Sequence, residues 1–322
     1  MTQNLPAETL DIRSELMSAS IPADFTHSAI REAILRTVAY GDVFNYPMTA
    51  MEIHRYLEGL PADLQSIRNL LAETRRLDQR LSLSGKYICL RGREELAGVR
   101  RQRERISRQL WPRARHYGRL IASLPFIRMV AVTGSLAVDN PEAQGDIDYL
   151  LITAPGRVWL CRALAILVVR WASLHGDRLC PNYVLSADHL ESSQEDLYNA
   201  HELAQMVPLA GMQTYFKMRR INHWTSEFLP NASGVPAHTL SEPRRNIRAS
   251  LGRSAETPLS GRLGDRLEQW EMARKVSRFS QQAPANEEAG FCADWCKGHF
   301  DRHASRSLDA FYERLAVLGL DH

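Results

Sequence analysis

Cysteine is scarce and unpaired in pattern: the five cysteines, at 89, 161, 180, 292 and 296, are odd in number and scattered. That argues against a disulfide framework and for a reduced, cytoplasmic setting. Long apolar runs are also missing. The longest, Val158 to Val169, is interrupted by Arg162 and bounded by Arg157 and Arg170, so it is too short for a bilayer and reads as a core helix. The opening MTQNLPAETLDIRSEL has acidic residues and no apolar centre, so it does not read as a secretory signal, and a membrane is not an expected partner. The net charge of +3 over 322 residues is too small to imply nucleic-acid binding by itself. No Walker loop, Rossmann glycine fingerprint or serine nucleophile elbow occurs.

What is present centres on Met129 to Thr153, MVAVTGSLAVDNPEAQGDIDYLLIT. An apolar run ends at Gly134-Ser135, which reads as a buried strand turning sharply at a glycine. A second apolar strand begins with Asp146, Ile147 and Asp148. Side chains on a strand alternate, so the two carboxylates project from the same face. Like charges side by side on an apolar strand call for a cation, and a divalent metal is the usual one. Mg²⁺ is commonly bound by one or two carboxylates plus substrate phosphates. Gly134 lets backbone approach a phosphate, and Ser135 with the following N–H groups can donate to it. The plainer alternative is a turn followed by a strand whose aspartates are solvated at an edge.

A strand, Gly-Ser, ten residues and then Asp-Ile-Asp on a second strand resembles the signature of the nucleotidyltransferase superfamily with the DNA polymerase beta palm. The resemblance covers about the middle third of the chain. It implies that Gly134 and Ser135 hold the phosphates of a nucleoside triphosphate and that Asp146 and Asp148 hold Mg²⁺ and are the catalytic pair. It also implies transfer of a nucleoside monophosphate to an acceptor, here unidentified: a small molecule, a protein or an RNA. Members that transfer nucleotides commonly carry a third carboxylate on a later strand. Here that strand, Arg178 to Ser186, has Asn182 at its centre, with Asp177 and Asp188 only flanking it. Asparagine cannot act as a general base, so the sequence predicts slow or absent transfer.

Upstream of the centre, residues 1–27 read as a tail and 28–93 as three helices and a hairpin, similar to a winged helix-like domain. Thr49 and Glu52 form a capping box for the second helix. The third helix offers Gln65, Arg68, Asn69, Arg75 and Arg76, and the wing offers Lys86, so a DNA partner and a protein partner both stay open. Residues 94–125 form a basic helical connector, read as broken near Trp111-Pro112. Its arginines suit either a nucleic-acid or triphosphate surface or a helix face paired with acids elsewhere.

Residues 126–230 read as the palm domain, with helical sequence from 192 to 220, and 231–322 as a loop and helical C-terminal part ending in a helix from Phe291 to Leu318. The expected class is therefore α/β: a mixed-sheet palm with an N-terminal winged helix-like domain and a helical C-terminal part. Arg157 and Arg162 are candidates for reaching phosphates, or for snorkelling from the core helix. His175, His189 and His201 read as surface or capping residues. Cys292, Cys296, His299 and His303 invite a zinc reading, but four ligands on one helix cannot surround a tetrahedral ion. The rival to an enzyme is a DNA-binding or nucleotide-sensing regulator with a catalytically degenerate palm.

Overall fold

The computed structural model describes residues 27–77, 79–239, 256–282, 292–297 and 303–320. Residues 1–26 of the expected N-terminal tail, residues 240–255 of the 231–265 loop and His299 lie outside them. The chain begins with α1 (His27–Val43), α2 (Ala50–Arg55) and α3 (Leu64–Leu77), then the hairpin β1 (Leu81–Ser84) and β2 (Tyr87–Leu90). Asn45, at φ 49°, ends the first loop-forming turn, and Thr49 caps α2 with the expected reciprocal bonds to Glu52. The long helix α4 (Leu96–Ala122) leads to β3 (Ile127–Thr133), the single turn α5 (Gly134–Ala137) and β4 (Ile147–Thr153). Then come α6 (Val158–Leu174), β5 (Leu179–Ser186), α7 (Leu197–Gln205), β6 (Val207–Ala210), α8 (Met212–Ile221) and α9 (Thr225–Phe228). The described part ends with α10 (Arg262–Gln282), β7 (Trp295–Lys297) and α11 (His303–Val317).

The protein is mixed α/β, built on a five-stranded sheet of order β6-β3-β4-β5-β7. The β4–β5 pair is parallel, joined by α6 as a crossover, and the other three pairs are antiparallel. Alternation gives the sheet two buried faces. Val130, Val132, Tyr149, Leu151 and Val184 point to α4, α6 and α10. Met129, Ala131, Leu150, Ile152 and Leu185 point the other way, into a core shared with α1 to α3, α7, α8 and α11. Among the described residues no helix is long and apolar enough to cross a membrane.

Four expectations on element boundaries need correction. The connector is not broken at Trp111-Pro112: α4 is one helix of 27 residues with Pro112 inside it. A mid-helix proline costs about 3 kcal/mol. Burial of Trp111, Ala114 and Tyr117 against the sheet offsets it, and the Trp111 indole donates to Asp139. Helical sequence from 192 to 220 is interrupted by β6, which pairs with β3. Its Pro208 is tolerated because β6 lies at the edge of the sheet. Gly211, at φ 81°, then sits so close to Arg128 and Met129 that a side chain would collide with their backbone. The helix expected from Phe291 to Leu318 is helical over His303–Val317 but not over 292–297, where the C-terminal part supplies a strand: Trp295 pairs with Leu185 and Cys296 with Val184.

The arginine-rich connector pairs with acids elsewhere, as one of the two expected readings had it, and one of its arginines goes further. Arg100 is buried, donates to Glu52 Oε1 at 2.6 Å, to Val138 O at 3.2 Å and to Asp139 O, and lies over the Tyr46 ring. Arg103 bonds Asn140 and Glu142, and Arg113 pairs with Asp177 at 2.6 Å. Arg100 and Arg103 tie α4 to α2 and the turn after α1 on one side and to the loop behind α5 on the other, and Arg113 ties it to the turn before β5.

Candidate active site

Gly134, Ser135, Asp146 and Asp148 converge as expected at one end of β3 and β4. Thr133 is the register partner of Asp148, so the Gly-Ser turn begins directly beside that aspartate. Gly134 has φ 65°, and a Cβ there would lie 2.6 Å from Asp148 Oδ2. Glycine is thus required twice over, for the backbone angle and for the approach of the carboxylate. The first N–H groups of α5 have no intrahelical acceptors. The Ser135 hydroxyl makes no hydrogen bond among the described residues. Asp146 precedes β4 at its mouth.

The two aspartates differ in environment. Asp148 Oδ1 accepts from Asn182 Nδ2 at 2.7 Å, and the Asn182 carbonyl accepts from Cys180 Sγ at 2.8 Å, which fixes the amide orientation. Burial, then the charges of Glu202 and Asp146, push the Asp148 carboxyl up to about 7, against that hydrogen bond from Asn182. Asp146 is more open. Arg178 Nε stands 2.9 Å from its Oδ1, yet that buried oxygen has no aligned hydrogen bond among the described residues.

Glu202, on α7, was not anticipated as a site residue. Burial pushes its carboxyl up to about 7, and it acts electrostatically on Asp148 across the gap between α7 and the sheet. It also lines a cleft of about 990 Å³, solvent-open space included, with Thr133 and Leu150 on the same sheet face as Asp148. A lone glutamate on an amphipathic helix carries no local signature. Only its spacing after Tyr198 and Asn199, which also line the cleft, places it on their face.

The other carboxylates near β5 are engaged elsewhere. Asp177 takes Arg113 and the Tyr117 hydroxyl on the opposite face. Asp188 lies past the far end of β5, bonded to Ser186 and 3.2 Å from His189 Nδ1. Asp188, His189 and Asp294 together form a group whose possible ligand atoms lie within 4.8 Å of one another. Asp146, Asp148 and Glu202 are not so closely drawn together.

Neither arginine candidate lies free to meet phosphates. Arg157 pairs with Asp265 at 2.8 Å and donates to Leu259 O and Ser260 O, and Arg162 acts on Cys180 and Cys296. The zinc reading loses its premise, since Cys296 is a buried residue of β7 rather than of a helix. His201 is buried, not on the surface: it stacks on Tyr40 with ring centroids 4.0 Å apart.

The turn is braced from behind. Asp139, at φ 54°, accepts from Trp111 Nε1 and His238 Nε2, each at 2.9 Å, and from Ser107. Burial alone would raise its carboxyl, but hydrogen bonds from His238, Ser107 and Trp111 outweigh it and hold the group down at about 2.

Two acidic side chains beside a glycine turn, one with an unaligned buried oxygen and the other desolvated, fit a hard divalent cation with oxygen ligands. Comparison with family models, curated proteins and solved structures found no match for this chain.

Proposed function

We propose that the protein is a nucleotidyltransferase of the palm type, transferring a nucleoside monophosphate from a triphosphate to an acceptor hydroxyl or amine. The observation that carries this reading is Asp148, half-buried against Gly134 with Asp146 and Glu202 about it and no cation bonded to it among the described residues. Asp146 and Asp148 would hold Mg²⁺, which when bound would neutralise and clamp phosphate oxygens. The N–H groups of α5 and the Ser135 hydroxyl donate to the triphosphate, and Arg178 at the mouth has the charge to meet its outer end.

Glu202 takes the place of the third carboxylate that β5 lacks. Poised near 7, it accepts the proton of the acceptor as the acceptor's oxygen or nitrogen bonds to the α-phosphorus and pyrophosphate leaves. Asn182 orients Asp148 and takes no proton.

The test is triphosphate binding and pyrophosphate release with and without Mg²⁺ in wild type, Asp146→Asn and Glu202→Gln. Mg²⁺-dependent binding lost in Asp146→Asn, and release lost in Glu202→Gln with binding retained, is the expected result. Binding that ignores Mg²⁺ removes the reading.

Asn182 favours a second reading, a regulator whose palm senses nucleotide without transferring it, with the winged helix-like domain on DNA. That surface is thinly supplied. Lys86 is 3.0 Å from Glu104 on α4, while Gln65, Arg68 and Asn69 are exposed on α3. Steeply salt-dependent duplex binding together with triphosphate binding and no pyrophosphate release would select the regulator.

A further inference from the structure

The cleft extends away from Glu202 and Thr133 along the sheet face, so whatever fills it lies next to the carboxylates rather than over the Gly-Ser turn. Its walls are unusual in charge. Leu150 and Tyr183 form the floor, Trp295 and Met206 are among the other walls, and Glu191 and Glu202 contribute acids. No lysine or arginine is among the described residues that line it. His189 and His303 also line it, with serine, asparagine and glutamine side chains, but His189 lies 3.2 Å from Asp188 and 3.7 Å from Asp294, so a phosphate or polynucleotide would shed its hydration beside acids and neutral donors with no lysine or arginine in return among the described residues. An apolar ring would gain by leaving water for Tyr183 and Trp295, and an ammonium would gain from the two glutamates.

We infer that this cleft is the acceptor subsite, and that it takes a small ring-bearing alcohol or amine of neutral or positive charge while rejecting phosphorylated and polynucleotide acceptors. The word acceptor rests on the nucleotidyltransferase reading; the ligand class rests on the walls alone. The acceptor's attacking hydroxyl or uncharged amine lies at the Glu202 end, where the register of Thr133 with Asp148 brings the cleft up to the proposed metal-binding pair, and a charged ammonium, which has no lone pair to attack phosphorus, lies toward Glu191. Its ring lies toward Trp295.

Three probes sharing a phenol ring isolate the effect of charge: tyramine, tyrosol and 4-hydroxyphenylacetate. Their binding to the full chain is measured by titration calorimetry at about pH 8.5, where carboxylates are ionised and the amine is still protonated. The expected order is tyramine, then tyrosol, then the acid, with at least about a tenfold span between the ends. Glu191 is exposed, so Glu191→Lys should fold normally and narrow the span several-fold, chiefly by weakening tyramine.

A 5′-phosphorylated trinucleotide is the fourth probe and should not compete with tyramine. Equal or tighter binding of the acid, or displacement of tyramine by the trinucleotide, overturns the inference. Failure of every phenol while an Mg²⁺-triphosphate still binds overturns it too and leaves the transfer reading standing. Phenols that bind in the expected order with no triphosphate binding would keep the ligand class and refute the transfer reading.

Discussion

Asp148→Asn should make the metal-free protein more stable at neutral pH, not less. Folding raises the Asp148 carboxyl from 3.8 to about 7. The gap of about 3 units corresponds to at most about 4 kcal/mol. The sign follows from proton counting. Between about pH 4 and pH 7 the unfolded chain has released this proton while the fold keeps it, so stability is full at low pH and falls as pH rises through that window. Glu202, raised from 4.5 to about 7, titrates over nearly the same range, and because the two carboxylates repel they share the penalty rather than doubling it.

Asparagine keeps the shape of Asp148, can still accept from Asn182 and carries no charge. It should therefore gain about 2 kcal/mol over wild type at about pH 8 and about nothing at pH 4. Urea unfolding in EDTA across this range reads it directly, and excess Mg²⁺ should stabilise wild type at high pH but leave the variant unmoved. A wild type whose stability is flat from pH 4 to pH 8 in EDTA, or a variant no more stable at the upper end, would show that the carboxylate is not desolvated and would refute the reasoning.

Gly134→Ala places a methyl 2.6 Å from Asp148 Oδ2 at φ 65°; it should cost about 1 to 2 kcal/mol of stability and abolish Mg²⁺-dependent triphosphate binding, read by unfolding and calorimetry. Arg100→Ala strands Glu52 and two carbonyls that hold the loop behind α5. Loss of about 3 to 5 kcal/mol in urea unfolding is expected. Asn182→Asp trades a hydrogen bond to Asp148 for a like charge. The metal-free protein should lose about 1 to 3 kcal/mol while Mg²⁺ binds more tightly in calorimetry; unchanged affinity would show that position 182 does not face the metal.

The Gly-Ser turn and the Asp-x-Asp strand could be located in the sequence because both depend on neighbours in the chain. A period of two puts Asp146 and Asp148 on one face, and a glycine is the only residue that suits φ 65° against a carboxylate. The Thr49–Glu52 cap was legible for the same reason. Glu202 was not, since its significance comes from Asp148 across the sheet, 54 positions away in numbering. The strands β6 and β7 are four and three residues long, too short for alternation to register, and are defined only by the partners they pair with. Arg100 is indistinguishable in sequence from the arginines around it, and the direction it faces is set by how α4 packs.

The N-terminal helices also hold α7, the helix that carries Glu202, in place. His201, next to Glu202, stacks on Tyr40 of α1 at 4.0 Å and lies 5.5 Å from the ring of Tyr56, while Arg55 donates to Ala204 O at 3.3 Å. Phe311 of α11 meets Tyr40 from another side at 5.4 Å. Burial drives the imidazole down to about 3, so the stack is neutral under ordinary conditions and adds no charge beside Glu202. Tyr40, Tyr56 and Phe311 belong to the same apolar core as Leu150 and Ile152 of β4. Moving the N-terminal helices away from the sheet would therefore expose that core and release the side of α7 opposite the cleft. A regulator that works by swinging a DNA-binding domain would have to break this packing at each cycle, whereas an enzyme that needs Glu202 held at a fixed reach from Asp148 uses it as it stands.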